Sequence, residues 1–314
     1  MKIMITGGNG SLGSRLAAPL VWRGDQVTLL DRSPDPRVRT PEFDQCTVAV
    51  ADIADKEQVS KIVADGEFDS IFHLAALMSS DAEENPDVAW QVNMIGTCNV
   101  LEAAREHGVG RVIFTSTVAS YGHMTEDPVP VDAPQWPESL YGATKVAGER
   151  LGVYYHYRFG VDFRGLRLVA TVAPFGSTGG ASGYCSQVYL DAVQKGAYEF
   201  YLKPETRAPI IYIEDAVGAL IGLHDAPASD LTRRVYTLSG IAPSAEEFAA
   251  SIRQVLPEVQ FTYKPDPVLD PIVASWPDRY DDSASRADWG WDPGYGLDAI
   301  TDAVIPALRA AIEG

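Results

Sequence analysis

The sequence predicts an α/β protein in which a doubly wound parallel sheet occupies the first half and a smaller lobe occupies the C-terminal part. Short β-rich apolar runs alternate with longer helical patterns as far as Val169, which is typical of a parallel sheet covered by helices on both faces. A glycine-rich turn separates the first run from the first helical pattern. After Val169 the alternation fades into a Gly/Ser-rich segment, 176–183, and later Pro-rich stretches, which we expect to form loops over the carboxyl edge of the sheet.

The individual elements can be placed along the chain from these patterns. Strands are predicted at 2–6, 26–31, 46–50, 70–74, 111–116 and 162–169, and helices at 12–23, 56–64, 87–107 and 141–159. Two later strand-like runs, 209–213 and 235–238, are expected to rejoin the main sheet. The predicted main domain is therefore 1–170 with returning segments near 209–240. The lobe, which should carry substrate specificity, combines 171–208 with 241–314.

The composition argues against several classes of partner. The chain has 314 residues and a formal charge of −18, from 25 Lys and Arg against 43 Asp and Glu. That balance would repel both nucleic acid and an anionic membrane, and no apolar run of about 20 residues could span a bilayer. The N-terminus has no secretory pattern, and the three cysteines and five histidines show no metal-ligand spacing. We expect a cytoplasmic protein with reduced thiols, no bound metal and a small-molecule substrate.

The turn after the first strand has the spacing of a dinucleotide-binding loop. It reads Thr6-Gly-Gly-Asn-Gly-Ser-Leu-Gly, with glycines at positions 7, 10 and 13. Gly7 permits a tight turn, Gly10 lets the backbone approach a pyrophosphate, and Gly13 lets the helix pack on the strand. The start of the helix attracts the anion, so Ser11 and Leu12 are expected to contact it as well. The first half is therefore predicted to be a Rossmann domain.

Residues at the ends of later strands should complete the cofactor site. Asp31 ends the second strand, where a carboxylate would bind the ribose hydroxyls and repel a 2′-phosphate, so NAD is favoured over NADP. Arg32 keeps NADP open, because an arginine there could pair with that phosphate. The other cofactor contacts are expected from adjacent strand ends, at Asp52, Ile53, Leu74, Ala75 and Ala76.

A tyrosine and a lysine lie one helical turn apart in the fourth predicted helix. Tyr141 and Lys145 share one face of that helix, and a nearby cation would lower the pKa of a phenol that has to act as a base. Lys145 could also hold the nicotinamide ribose. About 25 residues earlier, the fifth strand ends in a hydroxyl-rich run, where Thr117 would donate to the substrate oxygen. These residues predict hydride transfer with a tyrosine base.

The glycine loop, the hydroxyl at the end of the fifth strand and the Tyr-x-x-x-Lys pair together resemble the extended short-chain dehydrogenase/reductase family. The resemblance implies catalytic roles for Thr117, Tyr141 and Lys145, with Tyr141 and Lys145 also contacting the dinucleotide. It also implies that Asn93 organises the cofactor site. The helices at 87–107 and 141–159 carry apolar residues on more than one face, which in this family fits a homodimer built on a four-helix bundle.

Within that family the chain is most similar to the branch of short-chain L-threonine 3-dehydrogenases. The similarity rests on the segments 73–80, 85–94, 141–149, 209–216 and 275–291, of which the last is the most discriminating because it lies outside the Rossmann half. It implies that Ser79, Thr117 and Tyr141 surround the substrate and that a Gly-Gly-Thr-Thr loop closes over it. Here that loop reads Gly179-Gly-Ala-Ser, which leaves Gly180 and Ser182 as candidate contacts and puts the exact substrate in doubt.

The expected reaction is NAD-dependent oxidation of the 3-hydroxyl of a small 2-amino-3-hydroxy acid, with L-threonine to 2-amino-3-oxobutyrate as the first choice. Two alternatives stay open. A nucleotide-sugar epimerase or dehydratase would use the same Rossmann half, and a dinucleotide-sensing protein without turnover would keep only the fold.

Overall fold

The computed structural model describes residues 1–176 and 179–313, so Ser177 and Thr178 of the predicted loop and Gly314 lie outside the described residues. Its largest sheet has seven strands, all parallel, in the order β10-β6-β5-β4-β1-β2-β3. These strands are β1 Lys2–Thr6, β2 Gln26–Asp31, β3 Thr47–Val50, β4 Ser70–His73, β5 Arg111–Thr117, β6 Asp162–Leu168 and β10 Val235–Thr237. The predicted α/β class with a parallel sheet is confirmed. From β1 the chain adds β2 and β3 on one side and then β4, β5 and β6 on the other. This change of side between β1 and β4 opens a crevice at their carboxyl ends.

Helices cover both faces of this sheet. They are α1 Ser11–Trp22, α2 Lys56–Gly66, α3 Ser79–Glu84, α4 Pro86–Ala89, α5 Gly96–Glu106, α6 Leu140–Phe159 and α8 Ile213–Asp225. One core packs α2, α5 and α6 against the sheet and includes Met4, Val63, Leu101 and Phe163. The other core lies under α1 and α8 and includes Leu16 and Leu220. Apolar residues on one stripe of each helix account for this three-layer arrangement.

The helix expected at 87–107 is not continuous. Between α4 and α5 the residues Trp90–Ile95 form a π turn, which has one residue more than an α turn. This wider turn contains Asn93, which is buried. The simple helical pattern was therefore right about the element and wrong about its regularity.

One of the two returning strands was assigned to the wrong sheet. β10 does rejoin the main sheet, where it pairs with β6. The run predicted at 209–213 forms β9, Ile210–Tyr212, and pairs instead with β7, Ala170–Val172, in a separate two-stranded sheet. β10 already pairs with the outer edge of β6, so no edge of β6 is left for β9. β9 therefore pairs with β7, the short strand that follows β6 along the chain.

The second half is more regular than the sequence suggested. It contains α7 Tyr184–Lys195, β8 Ala197–Phe200, α9 Ala245–Val255, β11 Gln260–Tyr263, α10 Leu269–Ala274, α11 Ser283–Trp289 and α12 Leu297–Glu313. β8 and β11 pair in parallel, and α7, α9 and α12 pack against one another. The lobe has an apolar core of its own, which joins residues from 172–213 with residues from 245–308. The exact domain boundaries at 170, 208 and 240 stay a prediction.

Candidate active site

The glycine loop between β1 and α1 is shaped by close backbone contacts. Gly7 has φ +68°, and a Cβ at this position would come within 2.9 Å of the backbone of Ala75. A Cβ at Gly13 would lie 2.4 Å from the carbonyl oxygen of Gly7. Only glycine fits both positions without backbone movement. The loop therefore lies directly against the chain that leaves β4, as a dinucleotide-binding turn requires.

The first turn of α1 presents free backbone amides. The helix begins at Ser11 after Gly10, and no side chain caps its N-terminus. Arg15 donates from one nitrogen to the Ser11 hydroxyl at 2.8 Å and from the other to the carbonyl oxygen of Pro174 at 2.8 Å. Because the Ser11 oxygen accepts this bond, its own proton is free for another acceptor. Open amides, a helix dipole and a nearby guanidinium suit a pyrophosphate.

Asp31 lies at the carboxyl end of β2 beside the glycine loop. Its carboxylate accepts the backbone N–H of Arg32 at 2.8 Å and that of Asn9 at 3.2 Å. The Arg32 side chain is exposed beyond it. The carboxylate is thereby fixed next to the loop, where the hydroxyls of a ribose would lie.

The remaining candidate cofactor residues lie at the ends of β3 and β4. Asp52 accepts the backbone N–H of Ala54 at 2.9 Å, so it also shapes the turn in which it lies. Ile53 is buried. Leu74 donates its N–H to the carbonyl of Thr6 at 3.1 Å, which continues the pairing of β4 with β1.

Ala75 and Ala76 follow Leu74 along the rim of the crevice. The N–H of Ala75 donates to the Thr6 hydroxyl at 3.3 Å, and both alanines are half-buried. Together with the ends of β2 and β3, they place the candidate dinucleotide contacts on one edge of the sheet.

Thr117, Tyr141 and Lys145 meet at the carboxyl end of β5. The Thr117 side chain lies near the Tyr141 hydroxyl, where it lowers the pKa of the phenol, and Lys145 Nζ lies 5.7 Å from the centre of the Tyr141 ring. Lys145 Nζ also donates to the carbonyl oxygen of Thr115 at 2.7 Å. Tyr141 and Lys145 are buried, whereas Thr117 is half-buried at the crevice. The structure brings together the three residues that the sequence pointed to.

Burial dominates the proton affinities of this pair. It raises the pKa of the Tyr141 phenol to about 12, and the Thr117 side chain acts in the opposite direction. Burial also lowers the pKa of the Lys145 ammonium to about 7, opposed by the charge of Glu149. Both shifts favour the neutral form of each group, so additional positive charge is needed before Tyr141 can act as a base near neutral pH.

Asn93 fixes the loop that follows β4. Its side-chain oxygen accepts the N–H of Leu77 at 2.8 Å, and its amide nitrogen donates to the Leu77 carbonyl at 3.1 Å. The same nitrogen donates to the hydroxyl of Thr144 at 3.2 Å, which ties the loop to the helix of the Tyr-Lys pair. Asn93 acts here as a positioning residue between α6 and the rim of the crevice.

The candidate substrate residues lie where two loops approach. A Cβ on Gly180 would lie 4.0 Å from Cβ of Ser79, and one on Gly179 would lie 2.7 Å from the hydroxyl of Ser80. Ser182 follows in the same loop and is half-buried. Residues 179–182 therefore lie beside the first turn of α3, and their role in binding a substrate stays a prediction.

Two residues that the sequence analysis did not assign to the site support these loops. Tyr201 donates its hydroxyl to the carbonyl of Ala181 at 3.1 Å and accepts the N–H of Tyr184 at 3.3 Å. Arg15 contacts the other end of the same loop at Pro174. No sequence motif indicated either contact, because both join segments that are far apart along the chain.

The residues present fit a nicotinamide dinucleotide. The uncapped start of α1 suits the pyrophosphate, the Asp31 carboxylate suits a ribose, and the Tyr141–Lys145 pair lies farther along the same crevice. Within the described parts of the chain, no helix is both long and apolar enough to cross a bilayer.

Comparison with known proteins shows the family of the chain. Residues 3–239 match the NAD dependent epimerase/dehydratase family. The chain is 37% identical to the mitochondrial L-threonine 3-dehydrogenase of Bos taurus, over 97% of this chain and 82% of that protein.

Two solved structures extend the similarity over the whole fold. The L-threonine dehydrogenase of Clostridium difficile superposes with a TM-score of 0.92 at 32% identity, covering 100% of this chain and 99% of that one. The holo form of a GalE-like L-threonine dehydrogenase from Cupriavidus necator superposes with a TM-score of 0.90 at 34% identity, covering 98% of this chain and 100% of that one. The similarity thus includes the C-terminal lobe.

Proposed function

Since the chain belongs to the NAD dependent epimerase/dehydratase family, we propose that it oxidises the 3-hydroxyl of a small 2-amino-3-hydroxy acid, with L-threonine as the first candidate. The observation that carries this proposal is the meeting of Thr117, Tyr141 and Lys145 beside two loops that reach over the crevice. Relatives that are threonine dehydrogenases match both the Rossmann half and the lobe, which supports the same substrate class.

The chain's own residues divide the chemistry among them. When bound, the dinucleotide supplies the acceptor for the hydride that leaves C3 of the substrate. Thr117 holds the substrate oxygen, and Tyr141 removes the hydroxyl proton as general base. Lys145, fixed by the carbonyl of Thr115, orients the nicotinamide ribose and stabilises the phenolate. For L-threonine the product would be 2-amino-3-oxobutyrate.

We propose NAD as the preferred dinucleotide. The Asp31 carboxylate is fixed beside the glycine loop, where it would repel the 2′-phosphate of NADP and accept the ribose hydroxyls of NAD. The Arg32 side chain is exposed, so its contribution to affinity should be smaller.

The substrate pocket should have more space than one built with a Gly-Gly-Thr-Thr loop. Ala181 and Ser182 lack groups that two threonines would supply, and Ala181 instead packs against the apolar core of the lobe. Each methylene is worth only about 1–3 kcal/mol of discrimination, so 3-hydroxy amino acids bulkier than threonine should also react. Ser79 and Gly180 would line the same pocket.

We further propose a homodimer formed through α5 and α6, working in the cytoplasm. α6 presents Ala143, Arg150 and Tyr154 outward at helical spacing, and Trp90, on the π turn that packs against α6, is 50% exposed. Exposed aromatic side chains on two adjacent helices are typical of a buried protein interface.

The assay that tests this function follows NADH absorbance with a panel of substrates. We expect NAD reduction with L-threonine or a β-substituted relative, and none with UDP-glucose or UDP-galactose. A Thr117→Val variant serves as the matched control, because it keeps the side-chain shape but removes the hydroxyl. Epimerisation of a UDP-sugar without net NADH release would replace the proposal with a nucleotide-sugar epimerase.

A further inference from the structure

A fully buried carboxylate lies one helical turn beyond Lys145. Glu149 has no exposed surface, and its position on α6 places it on the same face as the lysine. A carboxylate in such a place is costly unless every oxygen finds donors. Its partners therefore indicate why the fold keeps it there.

Four hydrogen bonds hold the Glu149 carboxylate. Oε1 accepts from the hydroxyl of Ser116 at 2.5 Å and from Nε of Arg167 at 2.9 Å. Oε2 accepts from Nη2 of Arg167 at 2.7 Å and from the side-chain amide of Gln135 at 3.0 Å. Glu149 is the acceptor in every contact, which is the role of a carboxylate. The two-pronged ion pair with Arg167 fixes its orientation.

Arg167 is in turn fixed from its other side. Nη1 donates to the Tyr121 hydroxyl at 2.7 Å and to the carbonyl of Val131 at 3.0 Å. Tyr121 shares a further hydrogen bond with Thr237 on β10 at 2.9 Å. The network thus joins β5, β6, β10 and α6 beneath the site, so the carboxylate cannot move away from the lysine without breaking several bonds.

Among the described residues, the charged and titratable groups that face Lys145 are Tyr141 and Glu149 on α6 and His73 on β4, with Arg167 on β6 behind Glu149. His73 is buried with its pKa lowered to about 3, so it brings no charge near neutral pH. Arg167 is paired with Glu149. The contribution of Glu149 to the pKa of Lys145 is upward, against the larger effect of burial.

The Tyr141–Lys145 pair, after losing one proton, has two arrangements. The remaining proton lies either on the phenol, with a neutral amine, or on the amine, with a phenolate. Only the second arrangement provides both the base and the cation that the proposed reaction needs. Glu149 is one turn from Lys145 and two turns from Tyr141, so its attraction for the ammonium exceeds its repulsion of the phenolate.

We propose that Glu149 is a positioning residue that shifts the proton of this pair towards Lys145 and so, together with the positive charge of the bound dinucleotide, favours Tyr141 as a phenolate. This inference rests on the proposed role of Tyr141 as base, but not on the identity of the substrate. With separations of about 6 and 12 Å and an effective dielectric constant of about 20, Glu149 should favour the phenolate arrangement roughly tenfold.

The test measures the phenolate directly. Each protein is titrated with base in its complex with NAD, and absorbance is followed near 295 nm, where a tyrosine phenolate absorbs. Subtracting the same titration of the Tyr141→Phe counterpart leaves the signal of Tyr141. In Glu149→Gln the absorbance step that accompanies loss of the first proton from the pair should shrink by up to about tenfold, because the preference for the phenolate arrangement is lost. Ser116→Ala is the matched control, since it removes one hydrogen bond of the network and no charge, and its absorbance step should keep the original size.

Two outcomes would overturn the proposal. One is an unchanged phenolate titration in a Glu149→Gln protein that still binds NADH. The other is an equal loss of the absorbance step in Ser116→Ala, which would make the role structural. If Glu149→Gln fails to fold, Arg167→Gln is titrated instead: it removes the positive charge that offsets Glu149 and keeps a hydrogen-bond donor, so the absorbance step should grow, and an unchanged step would contradict the proposal. The measurement needs no substrate, so failure to oxidise L-threonine would leave this test intact.

Discussion

Tyr141 is the residue on which the proposed chemistry depends most directly. Replacing it with phenylalanine removes the hydroxyl beside Thr117 and keeps the buried ring. We expect turnover to fall by at least about a hundredfold, the usual scale for a lost general base. NADH binding and thermal stability should change little. Tyr154→Phe, on the exposed part of the same helix, should keep full turnover, and near-normal turnover of Tyr141→Phe would contradict the mechanism.

Asp31 should determine the choice between the two dinucleotides. Its carboxylate is fixed by three backbone N–H groups beside the glycine loop, where a 2′-phosphate would meet negative charge. We expect Asp31→Ala to weaken NAD binding and to reduce the preference for NAD over NADP by about tenfold or more, as for a lost charge–charge contact. Fluorescence titration of NADH and NADPH measures both changes. Equal affinity of the unmodified protein for the two dinucleotides would assign the larger role to Arg32.

Residues differ in how far the sequence indicates their roles. Tyr141 and Lys145 are four apart on one helix, so their contact follows from helical geometry alone. Arg15 and Glu149 act through partners more than 15 residues away, Pro174 and Arg167, and no local spacing indicates such contacts. Local motifs thus reveal the reacting groups, whereas the residues that hold them depend on the tertiary fold.

At the scale of elements, a chain of hydrogen bonds through His73 joins β1, β4 and α5. Thr97 donates its proton to the carbonyl of Asn93, so its oxygen accepts the bond from Nε2 of His73 at 2.9 Å. Burial keeps the ring neutral near neutral pH, so Nδ1 carries no proton and accepts the Thr6 hydroxyl at 2.7 Å. The bond from Thr97 thus places the proton of the neutral histidine on Nε2.

Protonation of His73 should therefore destabilise the fold in acid. Burial, with the charge of Lys145, lowers its pKa from 6.5 to about 3, so below pH 6.5 the unfolded chain takes up a proton that the folded chain does not. The contribution of neutral His73 to the free energy of unfolding is complete above pH 6.5. It is lost as the pH falls towards 3, by up to about 1.4 kcal/mol per pH unit.

Urea unfolding between pH 5 and 7 measures this dependence. The loss of unfolding free energy with falling pH should be shallower in His73→Gln than in the unmodified protein. The side chain of His107 is exposed and hydrogen-bonds the hydroxyl of Ser60. His107→Gln should therefore keep the slope of the unmodified protein. Identical slopes in all three proteins would contradict a neutral buried His73.

The elements also show where sequence patterns stop being informative. The bounds of β1 and β2 agree with the patterns because each is a short apolar run ended by a turn. The π turn at Trp90–Ile95 was not predicted, since its amphipathic spacing is close to that of an α helix and the extra residue depends on Asn93 reaching Leu77. β9 was assigned to the wrong sheet because pairing depends on which edge is already occupied.

At the scale of the whole molecule, the two halves differ in how much the sequence reveals. The Rossmann half repeats one unit of strand and helix, so its order follows from the alternation of patterns. The lobe is assembled from two distant segments, and its core joins residues such as Tyr189 and Thr301 across 112 positions. Its helices were missed because long-range packing, rather than a repeated local pattern, makes them regular.

The last prediction concerns assembly of the whole molecule. Tyr154 on α6 is 52% exposed and lies on the same outward face as Ala143 and Arg150, so a twofold partner would bury it. We expect sedimentation equilibrium to give about twice the chain mass of 34.0 kDa, and Tyr154→Arg to give the single-chain mass, because a buried unpaired charge opposes association. Ala310→Arg, on the exposed side of α12, should remain dimeric. Tyr154→Arg should keep its turnover, since every residue proposed for the site comes from one chain, and a monomeric unmodified protein would contradict the proposed interface.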